Sequence, residues 1–143
     1  MVSLSAKRSG FTLIEIVVAM AIIAILALVA TAPIMNYVKN ARVSSAKSTL
    51  RVLEGAITIY ESHTAQLPSR LNDLVKKPAD ERAAKRWQQG SYLKGKEVPL
   101  DPWGNKYQYK LTPQNPDHKY ELYSYGPNGK GGPKEEIISV WDL

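Results

Sequence analysis

The chain has 143 residues, carries no cysteine and holds a formal net charge of +6. That length suits one small domain plus one special segment, and the missing thiols exclude a disulfide framework and any thiolate metal centre. A basic balance favours anionic partners in general, but the basic residues are spread out without interleaved aromatics, so no nucleic-acid partner is expected.

From Phe11 to Ala32 the chain reads FTLIEIVVAMAIIAILALVATA, with one charge in 22 residues. About twenty apolar residues are enough to cross a bilayer core as a helix. The remainder, rich in Lys, Glu, Tyr, Pro and Gly, reads as soluble, so a single-pass membrane protein is expected. Lys7 and Arg8 precede the apolar run, and so does the candidate processing site at Ser9-Gly10-Phe11. In an ordinary secretory signal the small-residue cleavage site follows the apolar stretch. Here cleavage after Gly10 would remove only a basic leader and keep the membrane segment. A basic leader favours the cytoplasmic side, although Lys39 and Arg42 follow the span closely and weaken that asymmetry.

Glu15 lies one turn inside the span, where a carboxylate costs on the order of a few kcal/mol. It either reaches up to the interface as a shallow acid or partners a cation. Cleavage after Gly10 would create such a cation, the α-amino group of Phe11, four positions before Glu15. In apolar surroundings the two attract strongly, and an amine from a neighbouring subunit would make the pair set the axial register of a polymer. Gly10-Phe11-Thr12-Leu13-Ile14-Glu15, followed by an unbroken apolar helix, resembles the class III signal of type IV pilins and type II secretion pseudopilins. The resemblance implies cleavage after Gly10 by a prepilin peptidase and N-methylation of Phe11. It also implies salt bridging of Glu15 to the adjacent subunit's N-terminus during assembly.

Pro33 ends the purest part of the span and is expected to bend or loosen the helix there. Beyond it, Ala46, Leu50, Leu53, Ile57 and Tyr60 follow steps of four, three, four and three, an amphipathic stripe expected to face a sheet. Residues 11 to about 64 thus read as one helix of roughly 80 Å at 1.5 Å per residue. Leu67-Pro68-Ser69 breaks it, with Ser69 as candidate N-cap of a short helix over Arg70 to Lys76. Residues 79–88 suggest a second short helix with Trp87 as its packing residue, in a stretch, 79–90, to which no chemistry is assigned.

The turn-rich run Val98 to Asn105 places Trp103 at the seam of sheet and helix. Lys106 to Leu111 and Lys119 to Tyr125 alternate as strands, joined by a Pro- and Asn-containing loop, and Ile137, Ile138 and Val140 suggest a last short strand. The expected fold is α+β: a pilin-like long N-terminal helix, half transmembrane and half amphipathic, packed on a small antiparallel sheet. The order LPxxLxxL, PxDPWGNxYxY, YxLYSYGPNG and a terminal EEIxxVW is similar to the major pseudopilins of type II secretion systems. The lack of cysteine leans the same way, because many type IV pilins close a C-terminal loop with a disulfide.

Between Gly126 and Ile137 the glycine-rich GPNGKGGPKEE ends in two acids. Hard cations take oxygen ligands from flexible loops, and Asn128, Glu135 and Glu136 offer three. The resemblance implies calcium here, bound in the family through acidic residues that are usually aspartates. Asn128 lowers the ligand charge, the glutamates are longer, and Lys130 and Lys134 add repulsion. A loop held by its own turns is the alternative.

No phosphate loop, His-Glu metal pair or nucleophile-base set is legible, and His63 and His118 read as isolated solvent or turn residues. An enzyme is not expected. The resemblance implies three regions: a leader at 1–10, a transmembrane and polymerisation helix at 11–34 and a periplasmic globular domain at 35–143. It further implies a homo-oligomeric helical fibre, the periplasmic pseudopilus, anchored before assembly in the bacterial inner membrane and supporting export of folded proteins. Its implied partners are the prepilin peptidase, minor pseudopilins and an inner-membrane assembly platform. The alternatives are a type IV pilin for adhesion, motility or DNA uptake, and a monomeric membrane-anchored binding module.

Overall fold

The computed structural model describes residues 10–88 and 90–143, without the side chains of 29–33. The basic leader residues Lys7 and Arg8 lie outside the described residues, as does the side chain of Pro33. The chain forms two compact units, residues 1–39 and 40–143.

Helix α1, Leu13–Thr64, spans 52 residues and continues through position 33 as one helix. In the first unit every described side chain from 10 to 28 and from 34 to 39 is exposed. Among the described residues no helix is long and apolar enough to cross a membrane. The side chains of positions 29–33 lie outside the described residues, whereas the sequence stays apolar through Ala32.

The second unit holds the core. Ala46, Leu50, Leu53, Ile57 and Tyr60 are all buried, at the helical spacing that puts them on one face. Leu50, Leu53, Ile57 and Tyr60 join Leu71, Leu74, Ala83, Leu93, Tyr107, Tyr120, Leu122 and Val140 in one core cluster. Each large apolar side chain so buried stabilises the unit by about 1.5–3 kcal/mol. The last turn of α1 is closed by Thr64, whose hydroxyl shares its one proton between Tyr60 O at 2.8 Å and Gln66 O at 2.9 Å. Ala65 then takes a left-handed φ of 62°, and its N–H donates to Glu61 O at 2.8 Å.

The helix expected from Arg70 to Lys76 contracts to one 3-10 turn, Leu71–Leu74. Ser69 is not its cap. Asp73 reaches back instead, accepting from the N–H groups of Ser69 and Arg70 at 3.1 and 3.3 Å. Helix α2, Glu81–Arg86, is shorter than residues 79–88; Asp80 caps it by accepting from Ala83 N at 2.9 Å. Trp87 packs against the core as expected, its indole N–H donating to Asp73 O at 3.1 Å.

Strands β1 (Gln108–Leu111), β2 (Tyr120–Ser124) and β3 (Ile138–Ser139) form an antiparallel sheet in the order β1-β2-β3. Tyr109 faces Leu122 and Leu111 faces Tyr120 across the first pair. The last strand is only two residues long because Val140–Asp142 winds into a 3-10 turn capped by Ser139. Trp103 does not fill the seam of sheet and helix. It is half-buried outside the core, and Trp87 and Trp141 pack there instead.

Candidate functional site

Gly10 and Phe11 precede the first turn of α1, both exposed, with open space around Gly10. Phe11 leaves 85% of its surface uncovered. Accessible backbone on both sides of the Gly10–Phe11 bond is the minimum that processing there requires.

Helix α1 starts immediately after Thr12, and Glu15 is its third residue. That is the spacing of a capping box, in which the cap hydroxyl and the third-residue carboxylate satisfy each other's backbone donors. Glu15 Oε2 accepts from Thr12 N and from Thr12 Oγ1, each at 3.3 Å, and Glu15 N donates to Thr12 Oγ1 at 3.3 Å. These bonds are long and exposed, so they hold the carboxylate weakly. Oε1 takes no hydrogen bond among the described residues. A carboxylate aimed back at the N-terminal end of its helix, with one oxygen open, can accept a cation from outside the chain. Thr12 carries no charge, and its role as partner of Glu15 is legible in the sequence only through the T-x-x-E spacing.

Apart from Thr12 and Glu15, the described side chains from Phe11 to Leu28 offer apolar surface. Leu13, Ile14, Ile23, Leu26 and Leu28 are more than half exposed. A typical monomer's largest exposed apolar patch covers about 300–600 Å², and a fully uncovered apolar helix exceeds what water tolerates. It requires lipid or other protein.

The second group of predicted residues lies in the loop after β2. Asn128 Nδ2 donates to Glu136 Oε2 at 2.8 Å, so the structure brings these two together. Glu135 is exposed on the 3-10 turn Lys134–Glu136. The loop is otherwise a chain of tight turns, with Gly129 N donating to Gly126 O and Gly132 N to Gly129 O. Gly126 has φ +77°, and a Cβ there would collide with the carbonyl oxygen of Glu136. Among the described residues no three His, Cys, Asp or Glu side chains gather as a metal-holding group. The oxygens of Asn128, Glu135 and Glu136 nevertheless suit a hard cation in kind.

This loop is tied to the turn before β1 by Asp101, which is 5% exposed. Asp101 Oδ1 accepts from Trp103 N at 3.1 Å and Asn105 N at 2.8 Å, and Oδ2 accepts from Ser124 Oγ at 2.6 Å. Ser124 Oγ in turn accepts from Gly126 N at 3.0 Å. Neither histidine is isolated. His63 Nδ1 lies 3.3 Å from Tyr92 Oη, and His118 stacks on Trp141 at 4.1 Å.

A family model described as "Type II secretion system (T2SS), protein G" matches residues 33–141. A second, "Prokaryotic N-terminal methylation motif", matches residues 5–31. The chain is 38% identical over 141 residues to the type II secretion system core protein G of Pseudomonas aeruginosa, covering 95% of this chain and 96% of that one. It is 33% identical over 140 residues to the core protein G of Escherichia coli K12, covering 96% and 93%. Among solved structures, the major pseudopilin from the type 2 secretion system of enterohaemorrhagic Escherichia coli superposes with a TM-score of 0.63 at 27% identity. That alignment covers 76% of this chain and 94% of that one.

Proposed function

The chain belongs to the type II secretion system protein G family, and on that premise we propose that it is the major structural subunit of a type II secretion pseudopilus. The observation that carries the mechanism is the uncovered apolar face of α1, bearing Glu15 with one carboxylate oxygen open. Before assembly the apolar half is held in the inner membrane as a single span, with the second unit in the periplasm. During assembly, copies of α1 bury one another's apolar faces. A family built on secretion, together with the missing cysteines, favours this role over that of a type IV pilin.

Processing gives the assembly its polarity. Removal of residues 1–10 by a prepilin peptidase leaves Phe11 as the new N-terminus, which is then N-methylated. The α-amino group of one copy takes Glu15 of its neighbour. The weak Thr12 bonds hold Glu15 until that cation arrives. Minor pseudopilins and the inner-membrane platform are the other partners of this step, and no catalysis is assigned to the chain itself. We expect Glu15→Ala to be cleaved normally, with mass spectrometry finding Phe11 first, yet to form no fibres and to abolish secretion of folded proteins. Normal fibres from that variant would remove the ion pair from the mechanism. Fibres extending beyond the cell, with secretion intact after deletion, would indicate a type IV pilin.

For the loop after β2, the reading is calcium held by Asn128, Glu135 and Glu136. A bound ion would supply positive charge that draws these oxygens together and stiffens the turns of Gly126, Gly129 and Gly132. The loop would then gain stability by mass action. Chelation of calcium is expected to lower the melting temperature of the full chain in detergent, and re-addition to restore it. No shift in either direction would leave the loop held by its own turns.

A further inference from the structure

An open groove of about 590 Å³ runs beside β1 in the second unit, clear of the loop after β2. Its rim carries Arg70, Lys76, Lys96 and Lys106 against a single acid, Glu97. Arg70 is tied to Asp73, Nε to Oδ1 at 3.2 Å. The three lysines are exposed and form no ion pair among the described residues. The floor is apolar, from Leu71, Val75 and Val98. Along one wall runs Gln108–Tyr109 of β1, an edge strand whose outer side pairs with no strand among the described residues, the isolated Leu100–Lys106 bridge lying just before it.

We propose that this groove is a docking surface for an extended acidic segment of another protein. A strand laid along β1 would satisfy the edge's backbone groups, as in β-augmentation. With alternate side chains pointing to opposite faces, one set would enter the apolar floor. Acids at the strand's margins would reach Lys76, Lys96 and Lys106. Edge lysines ordinarily keep identical sheets from pairing edge to edge. Here they do that too: a second copy would bring the same three lysines to the same edge, and like charges repel. The chain's basic excess, +6 with the leader and +4 once Lys7 and Arg8 are removed (17 Lys and Arg against 13 Asp and Glu), adds to that repulsion and attracts an acidic partner. The lysines therefore select by sign, refusing a copy of this chain and accepting an acidic strand.

The test uses the full chain in a neutral detergent and a fluorescein-labelled peptide of alternating glutamate and valine, read by anisotropy at low ionic strength. Saturable binding is expected, with none for the lysine-valine counterpart. Combined Lys76→Glu, Lys96→Glu and Lys106→Glu should weaken it about tenfold, the sum of three exposed charge contacts. Lys85→Glu on α2, outside the groove, should change it less than about twofold. Far-UV circular dichroism on the variants checks that the fold is kept. The proposal is overturned by absence of saturable binding or by equal loss in Lys85→Glu, which would mean diffuse charge. It is equally overturned if anionic vesicles bind through the same lysines while the peptide does not. Disulfide cross-linking of two Lys106→Cys copies in the absence of peptide would put a second copy in the groove and also overturn it.

Discussion

Asp101 joins donors from two segments that are distant in sequence, the turn at Trp103–Asn105 and the start of the loop at Ser124. Buried carboxylates that accept several donors are costly to alter, because each donor loses a charge-assisted partner. Asp101→Asn keeps the shape but replaces one acceptor with an N–H group, opposite the hydroxyl of Ser124. It is expected to lower the unfolding free energy by about 2 kcal/mol, read as a lower urea midpoint with unchanged slope. The aspartate was visible in the sequence only as part of a turn. Its partner Ser124 is 23 positions away, and no local pattern encodes a contact made by sheet formation. The same holds for His63 and His118, whose aromatic partners lie across the fold. Glu15 is the opposite case: a lone charge in an apolar run announces itself, and its partner Thr12 is one helical turn away.

The second half of helix α1 matched the apolar spacing, because burial of Ala46, Leu50, Leu53, Ile57 and Tyr60 follows directly from 3.6 residues per turn. Its end was less legible. Helices commonly finish with a glycine in the left-handed region, and this one uses Ala65 at φ 62°. An L-residue pays about 1–2 kcal/mol for that conformation, partly offset by the greater freedom glycine has when unfolded. Ala65→Gly should therefore stabilise the second unit by about 0.5–1 kcal/mol and raise its melting temperature by roughly 3 °C in calorimetry. An unchanged or lower melting temperature would show the turn to be unstrained. The short elements after α1 were placed well but sized badly. Asp73 and Asp80, each folding back on preceding or following backbone, decided where those turns begin.

Across the second unit, tyrosines form the contact between the stripe of α1 and the sheet. Burial pushes the Tyr60 and Tyr120 hydroxyls up to about 12, and Tyr109 rises for the same reason, donating to Pro68 O at 2.9 Å. An unfolded tyrosine titrates near about 10, so the folded state binds these protons more tightly. Their contribution to stability is whole below about pH 10 and is lost as pH climbs through about 12. The melting temperature of the second unit, followed by circular dichroism, should hold steady from neutrality to about pH 10 and then fall steeply. A flat profile to pH 12 would mean that the tyrosines ionise without unfolding the interface.

The sequence by itself determined the long helix, the apolar face it cannot hide, the acid near its start and the α+β class, because each is written in local periodicity or in a single residue out of place. The membership in the type II secretion system protein G family follows the same order of motifs along the chain. Only the tertiary structure decided that Trp141 rather than Trp103 closes the core, that Asp101 joins the turn to the loop, and that three lysines from separate segments line one groove. Those are contacts between residues far apart in sequence. Their energy is available only after the chain has closed on itself, so no stretch of it records them alone.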